Sequence, residues 1–282
     1  VTVALVLLSA LLHATWNALL RLEADKDRSM VAATVFAAGF AIAVTGVRWA
    51  LGEPPFSSLA GFEFAAAGGV FEAIYFATLA AAMARGTLGT VYTVSRGGAV
   101  LVVWPLSIAM FGELATAGSM IGSAAVLAGL ALSGLGKARA TGGHGGSAVG
   151  WALACAAAIA GYHLCYKAAL REGINPSACF AVALTVAAGL NVARLGRELS
   201  GELGQVVRAR WPRLVGIGAV CAGSFLLLME ALAVGGSGFV LTLRNTSILF
   251  AVGLAWWIGE PPSRRELVGA AVVAVGVAVM AL

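Results

Sequence analysis

Apolar residues run along this chain in blocks about as long as a helix needs to cross a bilayer, and short polar breaks separate the blocks. The blocks cover approximately 1–20, 29–51, 61–83, 88–111, 115–135, 148–170, 176–193, 212–233, 238–258 and 266–282. Four of the breaks are Gly52-Glu53-Pro54-Pro55, Asn175-Pro176, Trp211-Pro212 and Gly259-Glu260-Pro261-Pro262. Glycine releases the backbone at a helix end and proline cannot continue a helix, so these are termini rather than interruptions. The pattern predicts an all-α membrane protein of about ten transmembrane helices. His13 and Asn17 interrupt the first block and no basic segment precedes it, so it is read as a retained helix rather than a signal peptide.

Two polar stretches stand apart from the short breaks. Residues 136–147 are rich in glycine and read as a flexible linker. Residues 194–213 form the longest predicted loop. Leu195, Leu199, Leu203 and Val206 make a helical stripe there among five arginines, which fits a helix lying in the membrane interface.

Composition sharpens the class. Of 282 residues, 60% are hydrophobic and 11% charged, against about 45–50% and about 25% in soluble domains. That balance leaves no stretch for a soluble domain. The net charge of +5 resides mainly in loops, where it acts on membrane orientation rather than on nucleic acid. Loops after odd-numbered spans hold thirteen Lys or Arg, whereas those after even-numbered spans hold Arg171 alone, with Arg48 near a span end. The positive-inside rule therefore places the odd loops in the cytoplasm and both termini outside. Cys155, Cys165, Cys179 and Cys221 lie inside apolar blocks without CxxC spacing, as small apolar fillers rather than disulfides or metal ligands. No cofactor or metal is expected.

The two halves echo each other. Gly112, Glu113, Gly122 and Gly129 recur 147 positions later as Gly259, Glu260, Gly269 and Gly276. His13, Trp16, Asn17 and Arg21 answer to His163, Tyr166, Lys167 and Arg171 at an offset of 150. The organisation expected is a five-helix repeat over 1–135, the linker 136–147, and a second five-helix repeat over 148–282. An odd number of spans per repeat inverts the second copy, the architecture of many secondary transporters.

These motifs carry a resemblance to a known family. Trp16-Asn17 in span one, Pro105…Gly112-Glu113…Gly122…Gly129 over spans four and five, and Gly259-Glu260…Gly269…Gly276 over spans nine and ten resemble the EamA-type branch of the drug/metabolite transporter superfamily. The resemblance implies ten helices, two inverted halves and a central cavity lined by spans one, three, four, six, eight and nine. It implies cytoplasmic termini, opposite to the charge bias, and it does not imply one substrate.

Charged residues in mid-span are the candidates for chemistry, because each costs roughly 2.5–3.5 kcal/mol at a helix centre and so faces a cavity or a partner. Glu72 and Tyr75 lie a turn apart in span three, Tyr92 and Arg96 share a face of span four, and Arg244-Asn245 lie in span nine. His13, Trp16 and Asn17 share one face of span one, and His163, Tyr166 and Lys167 the matching face of span six. These twelve residues form the candidate substrate-binding set. Competing structural roles are a Glu72–Arg96 pair that locks helices, histidines that bond between helices, aromatic packing by Trp16 and Tyr166, and a Lys167 that snorkels to the interface. Gly112-Glu113 and Gly259-Glu260 read as structural helix ends, Gly118-Ser119-Met120-Ile121-Gly122 as a close-approach motif, and Pro105 as a kink.

The reading is a secondary transporter of the plasma (inner) membrane, an exporter or exchanger working by alternating access. Its substrate is a small polar metabolite such as an amino acid or another carboxylate- or phosphonate-bearing compound. Proton or substrate counter-transport is left open, as is a monomeric or homodimeric state. The alternatives are an efflux carrier for drugs or cationic compounds, a channel, and an intramembrane enzyme. No HExxH, GxSxG or clustered acidic pair lies in the spans to support the last.

Overall fold

The computed structural model describes residues 1–85, 91, 93–138, 145–257 and 263–280, and among these no strand occurs. The helices are α1 Thr2–Arg21, α2 Lys26–Ala50, α3 Leu59–Arg85, a π-helical turn Thr93–Gly97, α4 Gly98–Phe111, α5 Ala117–Ala138, α6 Gly145–Arg171, α7 Pro176–Val234, α8 Ser237–Arg244, α9 Ser247–Trp257 and α10 Arg264–Met280. Eight helical stretches are long and apolar enough to cross a membrane, and Ala117–Leu132 and Leu267–Met280 are shorter apolar helices. Large apolar side chains such as Leu101, Ile121, Val268 and Val275 are exposed on the outer face. Such a surface suits lipid better than water.

Local chemistry sets the helix ends. Asp25 accepts the Arg28 amide at 3.0 Å and opens α2, and Asn175 accepts the Ser177 amide at 3.0 Å ahead of Pro176. Both are N-caps, and Pro176 stands where its missing N–H is not needed. Gly112 closes α4 at φ 64°, a left-handed conformation that glycine adopts without a Cβ clash. The Gly259–Pro262 break and linker residues 139–144 lie outside the described residues.

Residues 194–213 depart from the expected separate loop. Most of this stretch is helical and runs into span eight as Gly201–Val234. The axis changes at Gly196 (φ 71°) and again at Arg210 (φ −136°, ψ 17°). Pro212 therefore falls in the opening turn of the last helical stretch, where proline is tolerated. The helix expected from the stripe is present; Leu195, which packs into the bundle, ends the stretch before the bend at Gly196.

Spans four and nine are the irregular ones. Span four contains the π turn that holds Arg96, a feature that often marks functional positions. Span nine breaks between α8 and α9, where the amides of Asn245, Thr246, Ile248 and Leu249 bond three residues back at 3.0, 3.1, 3.1 and 2.8 Å. The only local signal for that break is the run Asn245-Thr246-Ser247, whose side chains compete for backbone groups.

Packing pairs α2 and α1 with α7, α3 with α6 and α7, and α5 with α10. Glycines set the closest approaches. A Cβ on Gly122 would meet the Gly276 carbonyl, one on Gly276 the Gly122 carbonyl, and one on Gly129 the Gly269 carbonyl. The Gly118–Gly122 motif is thus used within the chain, against α10.

Ion pairs close the two ends of α2. At the α1–α2 turn, Glu23 is buried and meets Arg210 at 2.9 Å and Arg213 at 2.7 Å, the latter as an ion pair without hydrogen-bond geometry. Arg194 meets Asp27 at 2.6 Å, and Arg28 meets Asp25 and Glu202. At the other end Arg48 meets Glu53 at 2.9 Å and also Glu230. Glu23→Ala is expected to cost about 1–3 kcal/mol, less than a fully buried pair because both arginines reach solvent. Arg210→Ala, which leaves Arg213 in place, should lower the melting temperature less. Equal effects would show that the two arginines do not share the carboxylate.

Candidate functional site

The buried face of α1 repeats at helical spacing through Val6, Ser9, Ala10, His13, Trp16 and Leu20, so His13 points into the bundle. Trp16 Nε1 donates to His13 Nδ1 at 3.2 Å with the two rings edge to face. Ser9 and Ser224 bind α1 to α7 by reciprocal hydroxyl-to-carbonyl bonds of 2.6 and 2.9 Å. That link places Ser224 and Phe225 beside the imidazole.

Two arginines reach His13 from different spans. Arg244, the last residue of α8, is 1% exposed; its Nη2 lies 3.1 Å from His13 Nδ1 and 3.4 Å from Ser224 Oγ. Its guanidinium stands 4.3 Å from the Phe225 ring centroid, and its Nε has no hydrogen-bond partner. Among the described residues Arg244 makes no salt bridge to a carboxylate. Arg96, in the π turn, is buried and contacts His13 Nε2. Burying a cation away from water is costly, and an anionic ligand is one way to offset that cost.

Glu72 is wholly buried on α3. Its Oε2 accepts the Tyr166 hydroxyl at 2.6 Å, while Oε1 has no hydrogen-bond partner. This carboxyl bonds to Tyr166 and Arg96 contacts His13, and no salt bridge joins Glu72 to Arg96 among the described residues. Tyr166, Tyr162 and Tyr75 form an aromatic wall, with centroids 5.3 Å apart in the first pair and 5.6 Å in the second.

The remaining candidates divide by partner. His163 is buried, its Nε2 lies 3.0 Å from the Ser237 carbonyl, and its Nδ1 has no partner. Lys167 donates to the Leu232 and Gly235 carbonyls at 2.9 and 2.7 Å, capping the end of α7. Asn17 turns onto its own helix, donating to the His13 carbonyl at 2.7 Å. Asn245 is buried at the break in span nine with neither amide atom partnered, as are the hydroxyls of Thr246 and Ser247. Tyr92 lies outside the described residues.

Sequence reasoning missed Ser9, Ser224, Tyr162 and Phe225, because serine and aromatic residues in an apolar span carry no signal without their neighbours. Glu113 has the structural role expected of it. Its carboxylate accepts the Ser237 amide at 2.6 Å and the Ser237 hydroxyl at 2.9 Å, which places negative charge at the N-terminus of α8. Glu260 lies outside the described residues. The four cysteines are free, and no cluster of metal-ligating side chains occurs among the described residues. A cavity of about 250 Å³ opens beside Glu23, Asp25, Ser29 and Arg210, at the α1–α2 turn rather than at the arginine pair.

Residues 146–282 match the model of the EamA-like transporter family, which lies in the drug/metabolite transporter superfamily. No curated protein matches the chain. A crystal structure of a protein 17% identical to this chain aligns with a TM-score of 0.74, covering 99% of this chain and 96% of that one. At that identity the likeness establishes the fold. The chain is an all-α integral membrane protein whose second half carries a transporter-family domain.

Proposed function

We propose, from the membership of residues 146–282 in the EamA-like transporter family, that this protein is a secondary transporter for a small metabolite bearing an anionic group. The observation that carries this reading is Arg244. It is a fully buried guanidinium whose partners are a histidine, a serine and an aromatic ring. The ligand's carboxylate or phosphonate supplies the missing charge, with Arg96 approaching from the other half of the chain. His13, Trp16, Tyr75, Tyr166, His163 and Asn245 surround it. Glu72 meets a donor on the ligand, which makes an amino acid or another zwitterion the ligand that uses both ends.

Alternating access follows from an inverted repeat, and reciprocal packing supports that arrangement. Gly122 meets Gly276 and Gly129 meets Gly269, and exchanging each glycine for its counterpart 147 positions away turns the first contact into the second. Gly69 meets Ala183 and Val186, while Gly218 meets Ala33 and Phe36, the same exchange at offsets near 150. Export or exchange, counter-transport and residence in the plasma membrane belong to this reading, and enzymatic turnover does not.

A thermal-shift screen of the purified protein against anionic, zwitterionic and cationic metabolites tests it, because a ligand bound only by the folded state raises the melting temperature. Stabilisation by cationic compounds alone would favour the drug-efflux alternative. Glu72→Gln is expected to weaken a zwitterion about 10–100-fold, the worth of one charge-assisted bond, and to leave simple anions unaffected. Stability should hold or rise, since glutamine still accepts the Tyr166 hydroxyl without a buried charge. Equal loss for both ligand classes would remove Glu72 from the site.

A further inference from the structure

Three donors surround one imidazole at His13, and their hydrogen-bond roles do not all fit. Guanidinium and indole N–H groups only donate. Trp16 Nε1 at 3.2 Å and Arg244 Nη2 at 3.1 Å both address Nδ1, so Nδ1 carries the lone pair. In the neutral ring the proton then sits on Nε2, the nitrogen that Arg96 contacts. One N–H thus faces another. No protonation state removes the conflict, because a neutral imidazole has one acceptor nitrogen and an imidazolium has none. An anion oxygen that displaces Arg96 from the ring, so as to accept from Nε2–H and from the guanidinium together, removes the conflict and brings negative charge toward Arg244.

We infer that His13 is a fixed-tautomer oxyanion ligand: its neutral Nε2–H joins Arg96 and Arg244 in holding the substrate's carboxylate or phosphonate, and no proton enters with it. This rests on the anionic-ligand reading above and opposes a proton-carrying role for this histidine. Protonating Nδ1 would place an N–H against both the Trp16 indole and Arg244, so the two donors that hold the tautomer also oppose a proton-carrying role. The charged groups facing the ring are Arg96 from the π turn and Arg244 from α8. At this level α7 presents Ser224, Phe225 and the Cys221 thiol. The α9 sequence has no titratable side chain, and α2 keeps its charges near its ends at Lys26, Asp27, Arg28 and Arg48. Both guanidinium charges persist throughout the accessible pH range, so the field at the site does not change with pH through them. The geometry also selects by shape. An oxyanion with two or more acceptor oxygens can bridge His13, Arg96 and Arg244, which a single-atom halide cannot.

The test uses the full chain in nanodiscs with sulfate as probe, an anion that does not titrate between pH 6 and 8. Binding is followed by thermal shift and by ¹⁵N NMR of histidine-labelled protein, whose three histidines are assigned by single substitutions. Sulfate affinity is expected to change less than about twofold from pH 6 to 8, against about tenfold per unit if one proton entered with each anion. The His13 signals should remain those of the neutral Nε2–H tautomer when sulfate is bound at pH 7. His13→Gln, whose amide offers one donor and one acceptor but cannot ionise, should bind within about fivefold of wild type, whereas His13→Leu should lose about tenfold or more. A tenfold pH slope or an imidazolium spectrum with sulfate bound would overturn the inference and leave the anionic-ligand reading intact. Wild-type affinity in a folded His13→Leu protein would remove His13 from the site. Failure of sulfate to bind a protein that still melts cooperatively would overturn the inference and the anionic-ligand reading together.

Discussion

In Arg244→Gln, an anionic or zwitterionic ligand is expected to bind about 10–100-fold more weakly than in wild type, while the melting temperature holds or rises. The affinity figure is the worth of one charge-assisted hydrogen bond, about 1.5–3 kcal/mol. The stability prediction has the opposite sign because Arg244 is a buried charge without a carboxylate partner among the described residues. Desolvating a charge opposes folding, and a neutral side chain of similar length avoids that cost while keeping a donor near Ser224. A structural arginine behaves in the reverse way, losing stability on substitution and leaving affinity unchanged. Melting curves and ligand titrations on one purified sample separate the two.

Gly276→Val is expected to abolish or severely reduce the folded protein. A Cβ at position 276 would meet the Gly122 carbonyl and the Val126 amide. These are backbone groups of the facing helix, so no rotamer change relieves the contact. Overpacking in a well-packed core costs typically 1–3 kcal/mol and more where the backbone must move. Interfaces between membrane helices depend on small residues for their close approach. If the two halves pack by exchange symmetry, Gly129→Val should be similarly damaging, since its Cβ would meet the Gly269 carbonyl and the Val273 amide. Gly253→Val, where nothing lies within 4 Å of the added carbon, serves as the tolerated control. Recovery of monodisperse protein from detergent, followed by its melting temperature, reads all three.

Hydropathy and helix-ending residues make the spans legible in sequence, because both act locally. Glycine and proline break a helix wherever they stand together, and an apolar block of bilayer length has few other fates. In the 194–213 segment the apolar stripe marks a helix, but its run into span eight and the reach of Arg194, Arg210 and Arg213 to the α1–α2 turn depend on tertiary packing and carry no local signal. Mid-span charges are legible as exceptions, yet their partners are not. Glu72 bonds to Tyr166 rather than Arg96, and that choice depends on how neighbouring helices are rotated, which spacing within one helix does not encode.

Arg96 and Arg244 are 148 positions apart, whereas Gly112 and Gly259 are 147 apart. The first half therefore holds one more residue between arginine and glycine. A π turn takes up more residues than an α turn and a 3₁₀ turn fewer. Span four contains the π turn, and span nine the bonds that reach only three residues back. Both irregularities fall at the arginines, and under the proposed inverted repeat they take up the one-residue difference in register.

Counterflow in proteoliposomes is the most direct test of the proposed carrier with its anion site at Arg244. The probe is the metabolite that most raises the melting temperature in the ligand screen, supplied unlabelled inside the vesicles and as radiolabelled tracer outside. Saturable uptake is expected, accelerated by the internal load and lost in Arg244→Gln protein that reconstitutes and melts like wild type. Uptake that does not saturate and ignores the internal load, or that persists unchanged in Arg244→Gln, would contradict it.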